Sequence, residues 1–172
     1  NPLTDTYKLK FDAPINRITA IRIEALPHDS LPFDGPGRGV SGYAGISSFE
    51  AVWNGERQTK QEFKFQKAIA DHARVFPIEP NGWWDTSGKN GQRMFSIREL
   101  EDPIDQAAGG SLSISMTFHP GKHWADNNLG RFRISVTGSD DAFEQAEQRI
   151  EFARKQSIES DEKRVVLLAF AH

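Results

Sequence analysis

The stretch that decides the fold spans residues 18–53 and reads ITAIRIEALPHDSLPFDGPGRGVSGYAGISSFEAVW. Its two ends alternate between apolar and polar side chains, which is typical of half-buried strands. The middle is rich in proline and glycine, and therefore forms neither a helix nor a regular strand. We expect a strand, a long loop and a second strand, with inward side chains at Thr19, Ile21, Ile23 and Ala25, and then at Phe49, Ala51 and Trp53.

The same alternation recurs through the rest of the first 138 residues. It predicts further strands at residues 7–11, 61–66, 93–98, 111–118 and 131–136. Residues 67–72 suggest a helical turn, and Asp102-Pro103 suggests a break in the chain. Many short strands with turn signals and little helix predict an all-β fold, an antiparallel β-sandwich of the jelly-roll type.

The character of the chain changes at Gly138. Asp140 and Asp141 are candidate helix caps, and apolar residues then follow at helical spacing. We therefore expect two parts: a β-sandwich binding module over residues 1–138 and a helical tail over residues 139–172, leading toward a following domain.

Composition excludes several classes of function. The 172 residues carry a net charge of -3 and contain no basic tract, which argues against nucleic-acid binding. The chain has no cysteine, so disulfides, thiolate metal sites and covalent haem attachment are excluded. No apolar run is long enough to span a membrane. Because the chain begins at Asn1 without methionine, we expect a piece of a longer protein.

No motif for catalysis is present, neither HExxH, GxSxG nor a P-loop, so we do not expect an enzyme, although a lyase or glycosidase stays as a minor alternative. The carboxylates of the central stretch suggest a structural calcium ion held by Asp29, Asp34, Glu24 and Glu50. The alternative is that Glu24 and Glu50 belong to a solvated face. His119 and His123 lie at a spacing that suits a metal, but they lack a third ligand.

Aromatic residues in polar loops suggest a ligand. Trp83 and Trp84 are adjacent, so in an extended segment they point to opposite sides. Trp124 follows His123 in a polar loop, and an exposed tryptophan among polar groups suits a sugar. The alternative is that these tryptophans close the ends of the sandwich.

Three segments carry a resemblance to a known family: ITAIRIEALP with the following LP and GPGRG (residues 18–39), SSFEA (residues 47–51) and LGRFRISVT (residues 129–137). Together they resemble the module embedded in large planctomycete cytochrome-c-like surface proteins. The resemblance implies a galactose-binding-like β-sandwich, a fold shared by many carbohydrate-binding modules, and a periplasmic or cell-surface setting. The chain departs from the family pattern after GPGR, where Tyr43 is an extra aromatic, and at Trp84.

We therefore predict a non-catalytic carbohydrate-binding module that recognises a polysaccharide, with an anionic glycan as one possibility. Its ligand-binding residues would be Trp84, Trp124, His123, Tyr43, Arg38 and Trp83. Arg38 or Arg131 would pair with a sulfate or a carboxylate. The alternative is a structural or protein-interaction module that orients neighbouring domains of a multidomain redox protein.

Overall fold

The protein is a sandwich of two antiparallel β-sheets followed by one C-terminal helix, which confirms the predicted fold class. The computed structural model describes residues 5–12, 15–55, 59–72, 78–105, 109–118 and 127–169, and the helical side chains as far as residue 157. The chain divides into two compact units, Asn1–Asp140 and Asp141–His172, which are described separately.

Sheet A, the five-stranded sheet, has the order β1-β8-β3-β4, with the short strand β6 pairing with β3. Its strands are β1 (Thr6–Asp12), β3 (Gly45–Asn54), β4 (Lys60–Glu62), β6 (Trp84–Asp85) and β8 (Ser111–Phe118). In the central strand β8 the core receives Leu112, Ile114, Met116 and Phe118, while hydroxyl side chains occupy the outer face. This alternation is the one that the sequence predicts.

Sheet B, the four-stranded sheet, has the order β5-β7-β2-β9. Its strands are β2 (Ile18–Ala25), β5 (Phe65–Ala70), β7 (Met94–Ile104) and β9 (Phe132–Thr137). In β2, Ile21, Ile23 and Ala25 belong to the core between the sheets. However, β2 is buried along both faces rather than half-buried as predicted, because it lies between β7 and β9 and its outer face is also covered.

Three local predictions are wrong. Residues 61–66 do not form one strand, because the chain leaves sheet A after Glu62 and enters sheet B at Phe65, with Phe63 and Phe65 both buried. Residues 67–72 contain no helical turn, since strand β5 continues to Ala70 and pairs with β7. Pro103 does not end β7. The register of β7 shifts against β2, where Ile18 pairs with Ile104 and Ala20 pairs with Glu99, and the extra β7 residues between these pairs include Pro103.

Among the described residues, the core contains one fully buried cation, Arg98, for which the sequence predicts no role. Its guanidinium donates to the carbonyl oxygens of Pro80 at 2.9 Å and Gly82 at 3.3 Å, and to Ser96 Oγ at 2.8 Å. It also lies 4.8 Å from the centroid of the Phe49 ring. Burial lowers the pKa of Arg98 to about 9, so the group stays charged at neutral pH and fastens the turn at residues 80–82 to the core.

The glycine-rich loop packs against the segment that precedes β9. Gly37 and Leu129 form an isolated β-bridge, Arg38 N donates to Asn128 O at 2.9 Å, and Gly130 N donates to Pro36 O at 2.7 Å. A Cβ on Gly37 would collide with the carbonyl of Tyr43. Glycine is therefore required at residue 37 because the backbone of Tyr43, in the same loop, approaches it closely. We call this contact between residues 35–39 and 127–130 the loop corner.

The second unit is a single α-helix, α1 (Ala142–Ala169), as expected from the spacing of apolar residues after Gly138. Gln145 N donates to Asp141 O at 2.9 Å, which is the first hydrogen bond of the helical ladder. Within the described residues, none of the helical structure is both long and apolar enough to cross a lipid bilayer.

Candidate functional site

The outer face of sheet B carries a group of arginines around one carboxylate. Because alternate side chains of a strand point to opposite faces, and Ile21, Ile23 and Ala25 face the core, Arg22 and Glu24 lie on the outer face. The sheet register places Arg133 of β9 on one side of Glu24 and Phe95 of β7 on the other. We call Arg22, Arg93 and Arg133 with Glu24 the arginine cluster.

Glu24 is at the centre of the arginine cluster. Arg133 Nε donates to its Oε2 at 2.5 Å, and the guanidiniums of Arg22 and Arg93 lie 3.2 Å and 3.5 Å from its Oε1. The Glu24 side chain is only 2% exposed, whereas those of Arg93 and Arg133 are 57% and 58% exposed. The buried carboxylate therefore holds the cluster at the sheet surface, and the guanidiniums of Arg93 and Arg133 face solvent.

Phe95 and Asp71 hold Arg22 in place. The Arg22 guanidinium carbon lies 4.2 Å from the centroid of the Phe95 ring, a cation–π geometry. Asp71 Oδ1 accepts a hydrogen bond from Phe95 N at 2.8 Å, which fixes the end of β5 beside the ring. Burial raises the pKa of Asp71, and its charge also acts favourably on Arg22.

The pKa shifts follow from this crowding. The hydrogen bond from Arg133 lowers the pKa of Glu24, and the charges of Arg22 and Arg93 lower it further, so Glu24 is ionised at neutral pH. The pKa of Arg133 is raised by the same hydrogen bond. Burial lowers the pKa of Arg22, and repulsion from Arg93 and Arg133 adds to that effect. Three cations are thus held near one another with Glu24 as their common counter-ion.

The cluster has more hydrogen-bond donors than its own carboxylate can use. Each guanidinium has about five N–H donors, and a carboxylate has about four acceptor positions. Arg22 Nε and Glu24 Oε1 are both buried and form no hydrogen bond with another described residue, although Oε1 lies within ion-pair distance of Arg22 and Arg93. Even with Asp71 counted as ionised, the cluster has a surplus of positive charge. Chemically, such an arrangement binds an oxyanion such as a sulfate or a carboxylate.

The structure places the two adjacent tryptophans in different environments, as the alternation of an extended segment requires. Trp84 is 1% exposed, and its Nε1 donates to His72 O at 2.8 Å. Its ring is therefore a core element with no face open to a sugar, which contradicts its predicted role in ligand stacking. Trp83 is half-buried, and its Nε1 donates to Asp85 Oδ2 at 3.0 Å.

Arg38 and Tyr43 belong to the loop that forms the loop corner. Arg38 is exposed and Tyr43 is half-buried. The backbone beside them is bound to the Trp83–Thr86 segment, since Thr86 Oγ1 accepts a hydrogen bond from Ala44 N at 2.9 Å. His123 and Trp124, like His119, lie outside the described residues.

The four carboxylates predicted to hold calcium are not brought together. Glu24 lies on the outer face of sheet B, where arginines cover it, so it is neither a calcium ligand in this arrangement nor part of a solvated face. Glu50 is exposed on sheet A, and Asp29 and Asp34 are exposed in the loop between β2 and β3. Within the described ranges, no three acidic or histidine side chains form a group suited to a metal ion.

The sequence did not predict that Arg22, Arg93 and Arg133 form a group. A local signal was present, because Arg22 and Glu24 alternate with inward isoleucines, and Arg133 alternates with Phe132 and Ile134. However, that signal shows only that each side chain points outward. The juxtaposition depends on β9 pairing with β2 across more than 100 residues of chain, and nothing local specifies that pairing.

Comparison with known proteins gives no family assignment. No family model, no curated protein and no solved structure matches the chain. The resemblance to the planctomycete module therefore remains a prediction, and what the molecule does must be argued from its own geometry.

Proposed function

We propose that the sandwich is a non-catalytic binding module for an acidic polysaccharide, and that the arginine cluster contacts the acidic groups of the polymer. The observation that carries the proposal is the surplus of guanidinium donors around Glu24, with Arg93 and Arg133 more than half exposed. Guanidinium groups match the planar or tetrahedral oxyanions that uronate and sulfated sugars display.

The charge distribution supports a local, specific contact. The whole chain is negatively charged, at -3, so it does not attract polyanions through its net charge. A cationic cluster on an otherwise acidic protein acts over about 8 Å at physiological ionic strength. It therefore favours a ligand that delivers an anion to this position rather than any polyanion nearby.

We extend the proposal to the fold family and to the location of the protein. We propose that the sandwich is galactose-binding-like and that it belongs to an exported protein of the periplasm or cell surface. Two of the segments that carry the resemblance, residues 18–27 and 129–137, supply Arg22, Glu24 and Arg133 to the cluster. Two of the segments on which the resemblance rests therefore also form the arginine cluster.

A panel of polymers tests the proposal. In affinity gels, heparin and alginate should slow the migration of the folded protein, while neutral dextran should not, because only the first two carry acidic groups. Repeating the gels with a calcium chelator shows whether an ion contributes. Equal retardation by dextran, or no retardation by any acidic polymer, would contradict the proposal.

A protein-interaction role is the second candidate, and an apolar cleft favours it. Strands β1 and β9 are the edges of their sheets on the same side of the sandwich. Between them lies a cleft of about 310 Å³, lined by Leu9, Phe11, Phe132 and Ile134 together with Lys10. Edge strands beside an apolar cleft suit a neighbouring domain of a larger protein.

Hydrogen exchange on the longer parent protein tests this candidate. If a neighbouring domain occupies the cleft, the amides of β1 and β9 should exchange more slowly in the parent than in this chain alone. Identical exchange rates for both strands in the two proteins would exclude that role.

A further inference from the structure

The outer face of sheet A contains a trough with a floor of hydroxyl groups. Strand β8 lies in the middle of the face, and its outward side chains are all serine or threonine. The register aligns Ser115 with Lys8 on one side and Glu50 on the other, and the next rung aligns Ser113 with Lys10 and Val52. Small side chains flanked by long ones create a depression of about 290 Å³.

The dimensions of the trough suit a single extended polymer. Neighbouring strands are about 4.8 Å apart, so the walls on β1 and β3 are separated by roughly 10 Å. Ser113 and Ser115 lie on its floor beside Val52. Ser113 Oγ accepts a hydrogen bond from Asn54 Nδ2 at 3.0 Å, which leaves its O–H able to donate to a ligand. Lys8, Lys10 and Glu50 form no salt bridge with another described residue, so their charged groups are available to a ligand.

We infer that this trough is a second binding surface for an acidic polysaccharide, distinct from the arginine cluster. The serine hydroxyls of the trough contact sugar hydroxyls, and the ammonium groups of Lys8 and Lys10 contact carboxylate or sulfate groups. Glu50, on the opposite wall, accepts hydrogen bonds from sugar hydroxyls. This inference rests on the proposed function and extends it, because it makes the module bivalent.

The sandwich architecture keeps the two surfaces apart. The trough is on the outer face of sheet A and the arginine cluster is on the outer face of sheet B, with two sheets about 10 Å apart between them. A short oligosaccharide cannot reach both surfaces without passing around an edge of the sandwich. Each surface therefore takes its own segment of polymer, and linking two segments raises avidity without any new contact.

Calorimetric titration with a heparin hexasaccharide measures the number of sites. The wild-type protein should bind two molecules per chain. The variant Lys8→Gln/Lys10→Gln and the variant Arg93→Gln/Arg133→Gln should each bind one. The control Lys64→Gln/Lys89→Gln removes the same charge from exposed positions elsewhere and should still bind two. Circular dichroism and light scattering confirm, before titration, that each variant is folded and has the same oligomeric state as the wild type.

The possible results separate the inference from the proposed function. The wild type could bind one molecule, with binding unaffected by Lys8→Gln/Lys10→Gln and lost in Arg93→Gln/Arg133→Gln. That result would contradict binding in the trough and would leave the proposed function intact. One site lost only in Lys8→Gln/Lys10→Gln supports the trough and overturns the role of the arginine cluster. An equal loss in the Lys64→Gln/Lys89→Gln control, or no binding by the wild type, overturns both.

Discussion

Glu24 shows how neighbouring charges set the behaviour of a single carboxylate. Burial by itself raises the pKa of Glu24, since it opposes ionisation. Here the hydrogen bond from Arg133 and the charges of Arg22 and Arg93 outweigh burial, and the pKa of Glu24 falls. Glu24, which the sequence suggests as a calcium ligand, is in the described structure the common counter-ion of three arginines.

Replacing Glu24 by glutamine should destabilise the fold at neutral pH by about 1–2 kcal/mol, less than the cost of breaking a fully buried pair because Arg93 and Arg133 are exposed. A carboxylate with a lowered pKa in the folded state stabilises the protein above its unfolded pKa of about 4.3, and this contribution is lost as the pH falls through the folded value. The difference between wild type and Glu24→Gln should therefore shrink below about pH 4.

Urea unfolding at pH 7 and at pH 3 measures this difference. The control is Glu62→Gln, which removes an exposed carboxylate 3.9 Å from Lys60 and should change the free energy of unfolding by less than about 0.5 kcal/mol. A Glu24→Gln protein as stable as the wild type at pH 7 would show that the cluster does not depend on its carboxylate.

The strands differ in how well their own sequence predicts them. β8 was fully predictable, because eight alternating residues on one central strand contain all the information about which side is buried. β5 was not, because residues 67–70 become a strand only through pairing with β7, and tertiary pairing overrides weak local preference. The sequence of β7 alone could not predict that the strand continues through Pro103, because the shift in register depends on its pairing with β2.

The candidate site follows the same rule. The outward direction of Arg22, Glu24 and Arg133 can be derived from alternation, but their meeting requires the topology. Trp84 illustrates the converse, because a tryptophan in a polar stretch suggested a ligand until its pairing with Ile46 placed it in the core. Composition and alternation thus predict the class of fold, while the site depends on contacts that are distant in sequence.

The loop corner allows a test at the level of elements. Gly37→Ala should destabilise the protein by about 3 kcal/mol, because the added methyl group collides with the Tyr43 carbonyl and forces the backbone at residue 37 away from residues 42–43. Gly88→Ala is the matched control. Gly88 has a φ of +83° but open space around it, so its replacement should cost only about 1 kcal/mol of backbone strain.

Thermal unfolding of the two glycine variants separates the effects. If the close contact between Gly37 and Tyr43 constrains the loop, the midpoint for Gly37→Ala falls well below that for Gly88→Ala. Equal midpoints would mean that the backbone around Gly37 adjusts without cost and that its close contact with Tyr43 does not constrain the loop.

At the scale of the whole molecule, the sandwich presents two polar faces and one apolar side. The arginine cluster lies on sheet B, the trough lies on sheet A, and the apolar cleft lies between β1 and β9. Because electrostatic contacts on the protein surface are screened by salt, binding through the two faces should weaken as ionic strength rises, whereas binding in the apolar cleft should not.

Salt dependence therefore identifies which part of the molecule engages a ligand. Heparin binding should weaken markedly between 50 and 200 mM sodium chloride, because each contact with an acidic group is screened. A protein partner that binds in the apolar cleft should instead stay bound at 200 mM. Heparin binding that is independent of salt would contradict an ionic contact through either face.

The measurement that tests the central claim most directly is the affinity of Arg93→Gln/Arg133→Gln for heparin, compared with wild type and with Lys64→Gln/Lys89→Gln. A second variant, Arg93→Gln alone, leaves the hydrogen bond between Arg133 and Glu24 in place and guards against a general loss of structure. We predict about tenfold weaker binding for the double arginine variant, a smaller loss for Arg93→Gln and no change for the lysine control. Unchanged affinity in both arginine variants would show that the arginine cluster is not the site.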